Sequence, residues 1–199
     1  MKQTQVIIYC IVFWLGLIVS GIAPKDRFTW LMEVFPAIIG FAILALTYAK
    51  FKFTHLTYGF ILFHAYVLYV GGHYTYAEVP WFDTIRDFFH QDRNNYDKVG
   101  HFMQGFVPAF ICREILIRKN IVSNNAWVSI ITVCICVTFS VLYEFLEWGV
   151  ALLSGENADA FLGTQGYVWD TQSDMLYAMI GAISMLVFFG KVQKRMLAS

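Results

Sequence analysis

Six apolar stretches, at about residues 5–23, 30–49, 54–72, 98–117, 126–149 and 171–190, are each long enough, or nearly so, to cross a hydrocarbon core that takes roughly 20 residues of helix. They leave no segment large enough for a separate soluble domain. The chain of 199 residues is 58% hydrophobic and 18% aromatic with only 14% charged, a balance too apolar for an ordinary soluble protein of this size. The expectation is an all-α polytopic bundle of six transmembrane helices, a single integral membrane domain over residues 1–199, whose first partner is the lipid bilayer. The first stretch resembles a signal peptide only superficially. Its apolar run exceeds the roughly 7–15 residues usual for one, and Pro24 would follow the cut at Gly21-Ile22-Ala23, so it reads as a retained helix.

Orientation follows from Lys and Arg, which accumulate in short cytoplasmic loops. With the N-terminus inside, Lys2, Lys50, Lys52, Arg113, Arg118, Lys119, Lys191, Lys194 and Arg195 fall on the inner side, leaving Lys25, Arg27, Arg86, Arg93 and Lys98 outside. Both termini are then cytoplasmic. All acids except Glu114 lie on the outer side or in the outer half of a helix, so a net charge of zero hides an acidic outer face. Nothing in it fits a nucleic-acid surface. Cys10, Cys112, Cys134 and Cys136 fall inside apolar segments and read as small hydrophobes.

Two outer loops are long. In residues 79–92, Trp81, Phe82, Ile85, Phe88 and Phe89 share one helical face and Asp83, Arg86, Asp87 and His90 the other, with Pro80 suited to a first helical position. This predicts a short amphipathic helix on the outer membrane surface, either lidding the polar helix ends or serving as a spacer. Residues 154–174 are too polar to span, yet Phe161, Leu162, Tyr167 and Trp169 give them something to bury, which predicts an ordered loop.

The chemistry gathers at the outer ends of the last three stretches. Asp97, His101 and Gln104 are spaced i, i+4, i+7 on one face, continued by Pro108; Glu144 and Glu147 share a face one turn below the end of the fifth; Asp170, Asp174, Tyr177 and Gly181 share a face of the sixth. Charged groups in a membrane are costly and turn toward the bundle interior or a water-filled cavity, so these side chains are expected to converge in an outward-opening pocket between the last three spans. Asp97 and Asp170 also read as helix caps. Glu144 and Glu147 do not, because they sit near the negative end of their helix. His64 and His73 point to opposite sides, the Tyr66, Tyr69 and His73 face reads as an aromatic interface belt, Gly71-Gly72 as a helix stop, and Arg113-Glu114 as interface anchoring or a local ion pair.

The stretches "YDKVGHFMQGFVPAFICREIL" and "YEFLEWGVALLSGENADAFLGTQGYVWDTQSDM", with Gly181-Ala182 after them, resemble the YjdF-like family of uncharacterised bacterial inner-membrane proteins over most of the chain. More distantly, Asp-Lys-x-x-His at a helix start, a glutamate helix and an Asp pair before Gly-Ala resemble the VanZ-like family, whose founding member is associated with resistance to a lipoglycopeptide antibiotic. The first resemblance implies a multi-pass protein of the bacterial cytoplasmic membrane; neither implies an established activity. The residues leave three readings open. One is an enzyme acting at the outer leaflet on a lipid or lipid-linked molecule, with His101, Glu144, Glu147, Asp170 or Asp174 as acid or base and Asp97, Gln104 and Tyr177 as binding groups. Another is a transporter, channel or lipid-binding protein with an acid-lined vestibule. The third is a structural polar network. Carboxylates with His101 can hold a divalent metal, although no HExxH or three-His pattern points to zinc, and no cofactor is assigned.

Overall fold

The structure, a computed structural model, describes residues 3–154 and 164–198, and among them every regular element is helical. Helices α1 (Gln3–Ser20), α2 (Arg27–Thr47), α3 (His55–His73), α4 (Pro80–Phe88), α5 (Tyr96–Arg118), α6 (Asn125–Ser154) and α7 (Asp170–Ser184) follow one another. A π-turn at Met185–Phe189 then leads into α8 (Gly190–Ala198). Gln3–Ser20, Arg27–Thr47, Asn125–Leu153 and the continuous run Asp170–Ala198 are long and apolar enough to cross a membrane. Helices α3 and α5, with 19 and 23 residues, have the length but are more polar. They are also the inner helices: α3 packs on α1, α2 and α5, and α5 on α3, α6 and α7. Shielded by neighbours, α5 can carry Asp97, Lys98, Arg113 and Glu114.

The outward surface is inverted relative to a soluble protein. Ile11, Leu15 and Ile18 on α1 and Phe139, Leu142, Phe145 and Trp148 on α6 are exposed, as expected of side chains that face lipid. Inside, apolar side chains form two clusters. One joins Phe13 and Leu17 of α1, Val34 of α2 and Ala65 and Tyr69 of α3; the other is centred on Phe106 and Phe110 of α5 with Met185. Phe60 stacks on Phe110 at 4.7 Å and meets Phe189 of the π-turn at 5.3 Å. The π-turn therefore brings an aromatic ring to the α3–α5 seam.

The crossing of α5 and α7 is a backbone contact. A Cβ on Gly105 would lie 1.7 Å from the carbonyl oxygen of Ala178, and one on Gly181 would lie 2.0 Å from that of Phe102. With Ala178 and Ala182 fully buried beside them, this is the small-residue packing by which membrane helices gain van der Waals contact without a hydrophobic drive. It holds Asp97 and Asp174 at one depth.

Both ends of the bundle are tied by polar groups. At the end carrying most acids, Asp26 caps α2 by accepting the Thr29 amide at 2.7 Å, and the depressed pKa of its carboxylate reflects that bond. Lys25 pairs there with Glu78, and His73 Nδ1 meets the Ser20 carbonyl at 2.8 Å. At the opposite, basic end, Arg113 and Glu114 do not pair with each other. Glu114 is fully buried and accepts from the Thr54 amide at 2.9 Å, the Thr57 hydroxyl at 2.7 Å and Arg118 at 2.9 Å, which ties α3 to α5. Arg113 donates to Gln193 of α8 at 2.7 Å.

Several local expectations are corrected. Gly71-Gly72 does not stop α3, which runs to His73; Gly71 instead makes room for the Tyr76 ring, 2.2 Å from where a Cβ would stand. Tyr66 and Tyr69 are not a lipid-interface belt. They pack inward, Tyr66 donating to the Val12 carbonyl at 2.9 Å and Tyr69 lying in the α1–α3 core. The amphipathic helix forms as α4, and its apolar residues Trp81, Ile85, Phe88 and Phe89 are exposed, a face suited to the membrane surface. It does not cover the polar pocket, which it does not touch. Phe161 and Leu162 lie outside the described residues, while Tyr167 and Trp169 are exposed.

Candidate functional site

The site begins in the loop before α5. Asn94, fully buried, accepts the Tyr96 amide at 3.1 Å and donates to the Val79 carbonyl and to Asp83 of α4, each at 3.0 Å. The Gln165 side chain reads the Asn94 backbone from both sides, accepting from its amide at 3.0 Å and donating to its carbonyl at 2.9 Å. The N-cap position itself falls to Asn95, without a side-chain cap bond, and it is Asn94 just before it, not Asp97, that takes up the first helical amide. The fixed loop turns Arg93 inward, and Arg93 donates to Asp170 at 2.5 Å and to Asp97 at 3.0 Å. Lys98 reaches Asp174 at 2.5 Å, Asp170 at 2.8 Å and Asp97 at 3.2 Å, and the Tyr167 ring lies over both cations at 5.5 and 5.7 Å.

Asp97 and Asp170 are therefore members of a buried network, not solvated caps. Two cations stand among three aspartates, all shielded from water. In a low-dielectric interior such groups persist only when mutually paired and hydrogen-bonded.

His101 borders this network. Its Nε2 lies 3.2 Å from Asp97 Oδ1 and 3.6 Å from Asp174 Oδ2, while Nδ1 faces Gln104 Oε1 at 3.0 Å and Glu144 Oε1 at 3.9 Å. Asp97, His101 and Asp174 each offer a ligand atom, all within 4.8 Å of one another, in the manner of a metal site. The Lys98 ammonium, however, already touches both aspartates, so a divalent ion there would face a fixed cation at contact range. The donor set favours Lys98 as the resident positive charge.

On the other side of His101 lies a polar cavity of about 80 Å³. Asp97, His101 and Gln104 of α5 line it with Glu147 and Tyr143 of α6, Glu33 of α2 and His64 of α3. The pocket is thus not between α5, α6 and α7 as the sequence predicts. The tight α5–α7 crossing fills that space, and the opening falls between α2, α3, α5 and α6. His101 and Glu147 share the cavity and Asp174 backs it through His101. Tyr177 is exposed on α7 and takes no part. Glu33 and Tyr143, 3.4 Å apart at Oε2 and the hydroxyl, escape sequence reasoning because they meet across 110 residues. Tyr76 escapes it because a left-handed pair, Thr75 (φ 56°) and Tyr76 (φ 54°), folds its ring inward, and nothing in the local pattern announces that conformation. His64, which the sequence shows only as pointing away from His73, lines the cavity with its Nε2 buried and unpartnered.

The polar cavity adjoins an apolar groove of about 400 Å³, within the range of small-molecule sites. The groove runs between α1, α2, α3 and α5, past Phe13, Phe41, Leu62 and Ile111 to Tyr48 and Tyr58 near the basic end, and Pro36, His64 and Leu68 belong to the walls of both spaces.

An all-α bundle with lipid-facing helices and a buried ionic site is a multi-pass membrane protein, and sequence comparison agrees. The profile of a family described as predicted membrane protein (DUF2238) matches residues 5–195, and the chain belongs to that family. It is 45% identical over 181 residues to the inner membrane protein YjdF of Escherichia coli strain K12, covering 91% of this chain and 87% of that one. This places it among bacterial inner-membrane proteins. No solved structure matches it.

Proposed function

We propose that this protein binds an amphiphile, a lipid or lipid-linked molecule of the outer leaflet. The chain occupies the apolar groove and the polar group lies against His101 and Glu147. The observation that carries this reading is the common wall at Pro36, His64 and Leu68, which sets a chamber of carboxyl groups and imidazoles directly beside a lipophilic channel. From Pro36 to Tyr48 the groove follows α2 for about 18 Å at 1.5 Å per residue, a length suited to a fatty chain. A wholly polar solute would leave that surface unused. The distribution of Lys and Arg supports an orientation with six crossings and the acidic end outside, which puts the polar chamber in the outer half of the membrane. His101, held by Asp97 and Gln104, and Glu147, facing the same space, are the groups placed to exchange protons with a bound head group.

Gly40 offers a direct test. It lines the groove, and a Cβ added there meets nothing within 4 Å, so Gly40→Phe starts in open space, directs its ring into the channel and removes glycine's helix penalty. Native mass spectrometry of the purified protein is expected to show a bound amphiphile in the wild type and its loss from Gly40→Phe. An equally loaded Gly40→Phe protein would refute the groove as the chain site.

A further inference from the structure

We infer that the head group taken by the polar chamber carries a primary amine. This rests on the amphiphile reading above and names the chemistry of its polar end. The argument is one of charge and hydrogen-bond balance around the chamber.

Arg93 and Lys98 do not line it; they are engaged with Asp97, Asp170 and Asp174 on the α5–α7 side. No other Lys or Arg among the described residues lines it either. Three carboxyl groups from different helices do, Glu33 of α2, Asp97 of α5 and Glu147 of α6, and of these Asp97 is already engaged by Arg93, Lys98 and His101. Glu147 is 9% exposed, yet among the described residues it accepts no hydrogen bond and joins no ion pair. Glu33 has only phenol donors near it, the Tyr143 hydroxyl at 3.4 Å and Tyr76, and no ion pair among the described residues.

A carboxylate buried in a membrane protein without a partner is costly, so it marks a place where a partner is supplied. A phosphate or carboxylate head would add negative charge to a chamber with three carboxyl groups and meet only the His101 imidazole, already engaged by Asp97 and Gln104. An ammonium does the reverse. Its three N–H donors have no accepting capacity of their own, and the chamber offers Glu33, Glu147 and the unpartnered Nε2 of His64, which accepts in the tautomer protonated at Nδ1. His64 also stands where chamber and groove meet, where the junction of head and chain would pass. The chamber holds several waters' worth of space, enough for an amino head and confining for a larger one.

The test uses the full chain in a neutral, sugar-headed detergent with three probes of one chain length: dodecylamine, dodecyl phosphate and dodecanol. Affinity is read from ligand-induced thermal stabilisation at constant detergent. Dodecylamine is expected to bind at least about tenfold more tightly than dodecanol, the scale of a hydrogen bond to a charged group. Glu147→Gln should erase that margin, and Glu33→Gln should reduce it. Unfolding of the ligand-free variants reports whether each is folded, and Gly149→Ala, whose added Cβ meets nothing within 4 Å and which does not line the chamber, should keep the wild-type margin. Equal affinity for amine and alcohol, or tightest binding of the phosphate, would overturn the amine assignment while leaving the amphiphile reading standing. Failure of all three probes to bind would remove both.

Discussion

Asp97 Oδ2 receives both the Arg93 guanidinium and the Lys98 ammonium while Oδ1 faces His101, so one carboxylate serves three positive or donor groups. A helix cap would tolerate Asn, which is itself a good cap. A buried ion-pair member does not, because its partners are left uncompensated, and Asp97→Asn should cost about 3–5 kcal/mol of stability. Glu147 makes the opposite case. It accepts no hydrogen bond and joins no ion pair among the described residues, so Glu147→Gln, which keeps its shape, should leave stability unchanged or raised. Thermal unfolding of both variants in one detergent checks the contrast; a Glu147→Gln protein as weakened as Asp97→Asn would make Glu147 part of the structural network. At this scale the sequence shows which residues of α5, α6 and α7 point inward, because helical spacing alone sorts His101, Gln104, Glu144, Glu147 and Asp174 onto faces. It does not show that Arg93 neutralises Asp170, since Arg93 sits in a loop whose course depends on Gln165, more than seventy positions away.

Between elements, the α5–α7 crossing sets the geometry on which the ionic cluster depends. Gly105→Ala or Gly181→Ala would drive a methyl group into a carbonyl of the facing helix, which only separation of the helices can relieve. Each should cost about 3 kcal/mol or more, at the upper end of overpacking effects. Gly149→Ala, where a Cβ meets nothing within 4 Å, should be neutral or mildly stabilising. Folded yield on size exclusion together with unfolding temperature separates the two classes; tolerance of alanine at both Gly105 and Gly181 would refute the direct backbone crossing. The starts of the six long helices are legible to within a few residues, because hydropathy and length decide them, while the last two run on past the expected ends, to Ser154 and Ala198. The end of α3 is not: Gly71-Gly72 reads as a stop, and only the Tyr76 ring, brought back by two left-handed residues, explains why glycine stands inside the helix. The same limit applies to the pocket's position, because periodicity tells which face is polar but not that small residues have closed the α5–α7 side.

For the whole molecule, two apolar clusters, one on α1–α3 and one on α5 and α7, leave a groove between them that no single helix reveals. The polar chamber opens at its acidic end, so orientation decides which leaflet supplies the ligand. Topology reporters fused after Phe53, Asn94 and Lys119 should report inside, outside and inside; an outside signal at Phe53 or Lys119 would reverse the assignment. The amphiphile site itself is tested most directly by an electron cryo-microscopy map of the full chain in lipid nanodiscs. The account predicts one elongated density, its head against His101 and Glu147 and its chain passing His64 along Pro36, Gly40 and Leu44 toward Tyr48. A groove closed by side chains, or a polar chamber holding only water with no density continuing past His64, would contradict it.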